Sequence, residues 1–139
     1  MVIADTGFWL ALANRKDEHH DRAAERLRGL REPLITTWPV VTETCYLLLS
    51  RLGSTEQSRF LDSFAAGAFE IFDLHREHGP RLAALIESYA DLPMDLADAS
   101  LVLLAEELGH GRILSTDRRD FRTYRFKQHE PFDNLLFGA

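Results

Sequence analysis

The sequence is poor in cysteine, in long apolar runs and in positive charge. Its single cysteine, Cys45, excludes an intrachain disulfide framework. No stretch approaches the roughly 18 consecutive apolar residues that a membrane-spanning helix needs, and residues 1–5 lack the features of a secretion signal. Asp and Glu number 22 against 16 Lys and Arg, which argues against a broad basic surface for nucleic acid. We therefore expect a reduced, cytoplasmic protein.

The rest of the composition is that of one ordinary domain. The chain has 139 residues, of which 45% are hydrophobic and 27% charged, so it can bury a core of normal size. It contains no internal repeat, no low-complexity tract and no linker. Residues 1–139 are therefore predicted to form a single domain.

Short apolar segments alternate with segments of helical periodicity along the chain. Strands are predicted at residues 2–4, 34–37, 69–74 and 112–115, with a fifth at a sheet edge over residues 124–126. Helices are predicted at residues 8–12, 21–30, 38–52, 54–66, 79–89 and 96–108, with Ser54 as the N-cap of the fourth. This alternation requires crossover connections, so it predicts an α/β fold with helices on both faces of a mostly parallel sheet of four to five strands.

Acidic side chains follow the predicted strands at the points where the strands end. Asp5 comes directly after the first strand, and Asp117 lies just beyond the fourth. Glu43 lies in the first turns of the helix after the second strand, and Asp98 lies at the start of the helix over residues 96–108. In open parallel sheets, ligands bind outside the carboxyl ends of the strands. We therefore expect these four carboxylates to converge on one rim of the sheet.

Each acid also has a simpler interpretation when it is taken alone. A residue such as Asp95 is typical of a helix N-cap, and Glu43 could be favoured by a helix dipole. Asp5 and Asp117 could both be turn residues. Asp98 is harder to explain in this way, because the helix after it is apolar on all sides and a buried carboxylate is costly unless it binds a cation.

A divalent cation would explain the four acids together. Carboxylates that share a small space repel one another, and a cation between them removes that repulsion. Carboxylate oxygens suit a hard ion, so the sequence predicts one or two Mg²⁺ ions, with Mn²⁺ as the alternative. Zinc fits less well, because the six histidines show no ligand spacing.

These acids lie in four short motifs that occur in a defined order. The motifs are Asp5-Thr6 after the first strand, Val41-Thr42-Glu43, Leu96-Ala97-Asp98-Ala99-Ser100, and the segment 114–121 around Ser115-Thr116-Asp117. In their order, their spacing and the total length, the chain resembles PIN-domain proteins, a family that includes the VapC-type toxins of toxin–antitoxin modules. The resemblance covers essentially the whole chain. Ser115 stands where the family often has threonine, a change that keeps the hydroxyl.

The resemblance implies a three-layer α/β/α sandwich and a metal-dependent ribonuclease. It assigns catalytic and metal-binding roles to Asp5, Glu43, Asp98 and Asp117. The hydroxyls of Thr6 and Ser115 are interpreted either as hydrogen-bond donors to the ligand carboxylates or as ordinary turn and strand-end hydroxyls. We treat Asp95 as a supporting residue and Asp120 as structural.

The resemblance also implies partners. These are an RNA substrate, single-stranded or in a structured loop, a cognate antitoxin protein and a second copy of the chain in a homodimer.

The positive charge that an RNA enzyme needs is concentrated near the C-terminus. Residues 112–127 contain six Lys and Arg against two Asp, and the candidate RNA-binding residues are Arg112, Arg118, Arg119 and Arg122. Phe121, Tyr124 and Phe126 are interleaved with them and could stack on bases. The alternative is that these aromatic side chains belong to the core.

Two other classes of protein remain as alternatives. A receiver-like signalling domain also binds Mg²⁺ at a sheet edge, but it requires a pair of acids after the first strand and a lysine after a late one. Here Asp5 has no acidic neighbour, and the late strand leads into Asp117 and Arg118. A catalytically inactive PIN-like interaction module is the second alternative, and the four retained acids argue against it.

Overall fold

The fold is organised around a five-stranded parallel sheet. A computed structural model describes residues 1–138. Seven strands occur in this range: β1 (Val2–Ala4), β2 (Leu34–Thr37), β3 (Phe69–Phe72), β4 (Arg112–Leu114), β5 (Arg125–Phe126), β6 (Glu130–Pro131) and β7 (Asp133–Asn134). The main sheet has the order β3-β2-β1-β4-β7, and every neighbouring pair in it is parallel. All of its strands therefore end at the same edge.

Helices connect the strands from β1 through β5. They are α1 (Thr6–Ala13), α2 (His20–Gly29), α3 (Trp38–Arg51), α4 (Ser54–Ala65), α5 (Gly79–Ser88), α6 (Leu96–Leu108) and α7 (Arg118–Thr123), with a 3₁₀ turn at Arg76–His78. Helices flanking a mostly parallel sheet confirm the predicted α/β class. In residues 1–138 no helix is long and apolar enough to cross a membrane.

The core is densest around β1 and α6. All three residues of β1 are fully buried, as expected for a central strand covered on both faces. Helix α6 packs against β2, α3 and α5, and eight of its residues are buried. Because α6 is covered along most of its length, its position is set by packing, and its N-terminus brings Asp95 and Asp98 to the edge where β1 ends.

One predicted helix cap is wrong. Ser54 was expected to cap α4, but it is the first helical residue, and the N-cap is Gly53 without a side-chain hydrogen bond. Gly53 has a φ of +107°, a conformation that glycine adopts without strain. Only Leu52 and Gly53 separate α3 from α4, so the chain reverses at the glycine and enters the helix at once.

The predicted fifth strand is also misplaced. Residues 124–126 do not form an edge of the main sheet, because β5 pairs antiparallel with β6 in a separate two-stranded sheet, here called the β5–β6 ribbon. Lys127 and Gln128 have φ values of +48° and +71°, which turn the chain back on itself. The edge strand of the main sheet on this side is β7, which pairs with β4, and the other edge strand is β3. Sequence reasoning missed β6, β7 and the short helix α7.

Helix α1 begins in close contact with the loop after β4. A Cβ atom added to Gly7 would lie 1.8 Å from Oγ1 of Thr116 and 3.1 Å from its Cβ. Only glycine allows this approach, which brings Asp5 and Asp117 to the same region.

We predict that Gly7→Ala lowers the free energy of unfolding by about 1–3 kcal/mol, because the new methyl group overlaps Thr116. Helix propensity alone predicts the opposite sign, a gain of up to about 1 kcal/mol. Urea denaturation measures the difference, and Gly29→Ala in α2, where a Cβ meets no atom within 4 Å, is the matched control. Thr116→Ala should restore stability to the Gly7→Ala protein. Equal stability of the two glycine variants, with no rescue, would contradict the close approach.

Candidate functional site

A cavity of about 370 Å³ lies at the edge where the strands of the main sheet end. Six carboxylates line it, and we call it the acidic cavity: Asp5, Glu43, Asp95, Asp98, Asp117 and Asp120. No basic side chain is among the described residues that line it. A larger cavity, of about 840 Å³ beside α2, combines acids with Arg22 and Arg26, so its charges offset one another. The unbalanced negative charge identifies the acidic cavity as the candidate site.

Asp5 is the most deeply buried of these acids, with 6% of its surface exposed. It lies between β1 and α1, where its Oδ1 accepts a hydrogen bond from the Thr6 amide at 2.7 Å. Its Oδ2 accepts a second bond from the Ser115 hydroxyl at 2.9 Å. Burial raises the pKa of Asp5 to about 7, and the nearby charges of Glu43 and Asp117 add to the rise, although the two hydrogen bonds oppose it.

Glu43 enters the cavity from the second turn of α3. The Thr6 hydroxyl donates a hydrogen bond of 2.5 Å to its Oε1. Since Thr6 begins α1, this bond fixes the start of α1 against α3, and the two helices pack together. The expected hydrogen bonds of Thr6 and Ser115 to site carboxylates are thus both present, to Glu43 and Asp5 respectively.

Asp98 and Asp95 lie at the N-terminus of α6. Asp95 is the N-cap that the sequence predicts, and its Oδ1 accepts a hydrogen bond from the Asp98 amide at 2.8 Å. Oδ2 of Asp98 accepts a bond of 3.1 Å from the hydroxyl of Tyr124. Burial raises the pKa of Asp98 to about 8, and the charges of Asp95 and Asp5 contribute to the increase.

Asp117 is the N-cap of α7, and its Oδ1 accepts a hydrogen bond from the Asp120 amide at 3.0 Å. Its own amide donates to Oγ of Ser115, the hydroxyl that in turn donates to Asp5. Ser115 therefore links the ends of β1 and β4. Burial raises the pKa of Asp120, and its contact with Asp117 raises it further.

Two polar side chains of the cavity were not given a site role from the sequence. Asp120 was interpreted as structural, yet it lines the cavity, and Thr116 was not singled out at all. The signal for Asp120 was its position three residues after Asp117, which is the spacing between an N-cap and the third residue of the helix that it caps. The sequence did not reveal that helix because α7 has only six residues.

The chemistry of the cavity fits a hard divalent cation. Its donors are carboxylate and hydroxyl oxygens. The pKa values of Asp5 and Asp98 are raised because both carboxylates are buried beside other negative charges, and a bound cation would stabilise their charged forms. In the part of the chain that the structure describes, no three His, Cys, Asp or Glu side chains lie close enough together to hold a metal ion. Glu43 and Asp98 instead accept hydrogen bonds from the hydroxyls of Thr6 and Tyr124, respectively. An open arrangement suits Mg²⁺, which keeps several of its waters when it binds proteins.

The four arginines proposed for RNA do not lie together. Arg112 begins β4, so it lies at the opposite edge of the sheet from the acids, and its guanidinium donates to both carboxylate oxygens of Glu32. It therefore does not join the site, because the direction of β4 carries it away. Arg118 lies over the ring of Phe137, 4.4 Å from its centroid. Arg119 and Arg122 are exposed on α7, next to Asp117.

The aromatic side chains between these arginines belong to the core. Phe121, Tyr124 and Phe126 are 2%, 0% and 5% exposed, so they are not available for stacking on bases. Their rings pack edge to face: Phe121 packs against Tyr124, and both Phe121 and Phe126 pack against Phe132. The core interpretation of this segment is correct, and the stacking interpretation is wrong.

The chain is similar in sequence and in fold to proteins of one known family. The family model of the PIN domain matches residues 2–127. The chain is 29% identical over 124 residues to Ribonuclease VapC26 of Mycobacterium tuberculosis, which covers 89% of this chain and 92% of that protein. A crystal structure of Mycobacterium tuberculosis VapC20, described as a sarcin-ricin loop cleaving toxin, superposes with a TM-score of 0.79 at 18% identity. The superposition covers 86% of this chain and 92% of the other, and it shows the shared fold.

We predict that the stability of the metal-free protein falls as the pH rises from about 4 to about 8. Asp98 has a folded-state pKa of about 8 against an ordinary value of 3.8, so the folded state binds the extra proton. This contribution is complete below pH 3.8 and is lost as the pH passes through the folded-state value. Thermal unfolding in a chelator, followed across this range, measures the effect.

Asp98→Asn should raise the melting temperature at the alkaline end by several degrees and flatten the pH dependence. Asp91→Asn, at an exposed aspartate outside the acidic cavity, is the matched control and should leave the curve unchanged. A wild-type curve without any slope in this range would mean that the cavity acids do not oppose folding.

Proposed function

The chain belongs to the PIN-domain family, and from this premise we propose that it is a metal-dependent endoribonuclease and the toxin of a VapBC-type toxin–antitoxin system. The observation that carries the proposal is the acidic cavity, in which six carboxylates meet without a basic partner. Such a cavity suits phosphodiester hydrolysis, in which water is the nucleophile and no Ser, Cys or His nucleophile is required. The names of VapC26 and VapC20 support the same reaction and the same biological role.

In this proposal the four acids expected from the sequence hold one or two Mg²⁺ or Mn²⁺ ions: Asp5, Glu43, Asp98 and Asp117. When bound, the ion supplies a more acidic water and stabilises negative charge on the scissile phosphate and the leaving oxygen. Ser115 orients Asp5, and Thr6 orients Glu43, through the hydrogen bonds that they donate. Asp95 supports the site by fixing the first turn of α6.

The RNA would approach along α7. Arg119 and Arg122 are exposed on this short helix, which starts directly after Asp117, so they are placed to contact phosphates near the cavity. Arg118 packs over the ring of Phe137, and Arg112 forms an ion pair with Glu32. A single-stranded segment or a structured loop fits this short basic strip better than a duplex does.

The proposed partners are a cognate antitoxin and a second copy of the chain. The outer face of α3 exposes Tyr46 and Leu49, with 68% and 47% of their surface accessible, and these residues lie three apart on one side of the helix. Exposed apolar side chains at helical spacing are a feature of protein interfaces. The cytoplasmic location expected from the sequence would place the enzyme with its RNA.

We expect Asp5→Asn and Asp98→Asn each to lower RNA cleavage by at least roughly 100-fold. Replacing a residue that only hydrogen-bonds a metal ligand already lowers activity by up to about 100-fold, and replacing the ligand itself should cost at least as much. Cleavage of single-stranded RNA is measured with Mg²⁺ or Mn²⁺ and again with EDTA, and Asp91→Asn should behave as wild type. Variants that cut as fast as wild type, or cleavage that survives EDTA, would refute the site. Stable labelling by acetyl phosphate would favour the receiver-like alternative.

Replacing Arg119 or Arg122 with alanine should weaken RNA binding and reduce its dependence on salt. Each lost phosphate contact lowers the slope of log K against log salt by about 0.7 for a single strand. Binding is measured by fluorescence anisotropy in the Asp5→Asn background, so that the RNA stays intact. Arg112→Ala is the control, because Arg112 lies at the opposite edge of the sheet. A slope that changes with Arg112 and not with the α7 arginines would reverse the proposed path.

A further inference from the structure

One hydrogen bond reaches the acidic cavity from outside the central sheet and its crossover helices. Tyr124 is fully buried, and its hydroxyl donates to Oδ2 of Asp98 at 3.1 Å. Burial, followed by the charge of Asp98, raises the pKa of Tyr124 above its usual range, so the phenol keeps its proton and remains a donor. Nothing in the proposed function so far uses this side chain.

The position of the Tyr124 ring is fixed by its neighbours. The ring packs edge to face against Tyr89, with centroids 5.0 Å apart, and against Phe121, with centroids 5.2 Å apart. The Tyr124 amide donates to the carbonyl of Asp120 at 2.9 Å, so the end of α7 sets the backbone at this point. A ring packed in this way has little rotational freedom, and its hydroxyl can hold a partner in one place.

The β5–β6 ribbon that follows Tyr124 is tied to α5 and α6. The Arg125 amide donates to the hydroxyl of Tyr89 at 3.0 Å. At the ribbon's turn, the Lys127 amide donates to Oε2 of Glu106 at 2.6 Å, and Arg81 donates to both oxygens of the same carboxylate. The Arg125–Tyr89 bond joins the ribbon to the end of α5. The bond to Glu106 joins the ribbon to α6, so it is this bond that sets the distance between the Tyr124 hydroxyl and Asp98.

This arrangement determines which oxygen of Asp98 is left for a cation. Oδ2 is held by Tyr124, which restricts rotation of the carboxylate about its Cβ–Cγ bond. Oδ1 is then the oxygen available to a cation shared with the neighbouring carboxylates. Metal-binding carboxylates are commonly oriented by a second hydrogen bond of this kind.

We propose that Tyr124 is a positioning residue of the metal site, whose hydroxyl orients the Asp98 carboxylate so that Oδ1 binds the divalent cation. The inference rests on the proposed function, since it requires Asp98 to be a ligand. It adds the β5–β6 ribbon to the structures that determine metal affinity, although the ribbon contributes no ligand of its own.

The test compares Tyr124→Phe with Tyr89→Phe. Both changes remove one hydroxyl from the same aromatic pair, in which Tyr124 is buried and Tyr89 half-buried, but only the Tyr124 hydroxyl donates to a cavity carboxylate. Binding of Mn²⁺ alone, without RNA, is measured by calorimetry and by the electron paramagnetic resonance signal of free Mn²⁺. We expect about a tenfold increase in Kd for Tyr124→Phe and no change for Tyr89→Phe. Circular dichroism and melting in a chelator should be alike for the two variants.

A second readout separates positioning from a general loss of structure. The Mg²⁺ concentration that gives half-maximal RNA cleavage should rise about tenfold in Tyr124→Phe, in step with the Mn²⁺ affinity, and saturating Mg²⁺ should restore most of the rate. Wild-type Mn²⁺ affinity in Tyr124→Phe, an equal loss in Tyr89→Phe, or a Tyr124→Phe protein that does not fold would each overturn the inference.

The outcome for wild type distinguishes this inference from the proposed function. A wild-type protein that binds Mn²⁺ but cuts no RNA would refute the ribonuclease, while a Kd difference between the two variants would still support the role of Tyr124. A wild-type protein that binds no Mn²⁺ would overturn both.

Discussion

The mutual repulsion of carboxylates at one edge of a parallel sheet is the constraint on which this structure depends. Parallel strands all end on the same side, so residues that directly follow β1 and β4 are brought together by topology. Asp5 and Asp117 occupy these positions, α3 adds Glu43 from its second turn, and α6 adds Asp98 from its first turn. Packing of the core holds the acids in place against their repulsion, and the fully buried β1 and the covered α6 provide that packing.

Three hydroxyl groups from three different elements hold three of the carboxylates. Thr6 at the start of α1 donates to Glu43, Ser115 at the end of β4 donates to Asp5, and Tyr124 before the β5–β6 ribbon donates to Asp98. A neutral hydroxyl orients a carboxylate without neutralising it, whereas a lysine or arginine would cancel the charge that attracts a cation. The site is thus kept ordered and negative at the same time.

The sequence was sufficient for features that depend on local pattern and strand order. It predicted the bounds of β2 and α6 and the cap at Asp95, because apolar periodicity and capping chemistry act over a few residues. It did not predict the place of Tyr124, which depends on a chain reversal after β5, or the separation of Arg112 from the acids. Arg112 lies near Asp117 in sequence, but β4 lies between them and places them at opposite ends of the strand. A count of charges along the sequence does not show at which end of a strand each charge lies.

The acidic cavity also accounts for the charge of the whole molecule. It contains six of the 22 Asp and Glu, and the 16 that remain equal the number of Lys and Arg. Outside the acidic cavity the formal charges therefore cancel, and the net negative charge of the protein is concentrated at the cavity, which forms a negative pole. In the proposed function this polarity imposes an order of assembly, because a polyanion is repelled from the pole until cations have entered it. In that proposal, the uneven distribution of charge makes metal binding a condition for the substrate to arrive, in addition to the part that the metal has in the reaction.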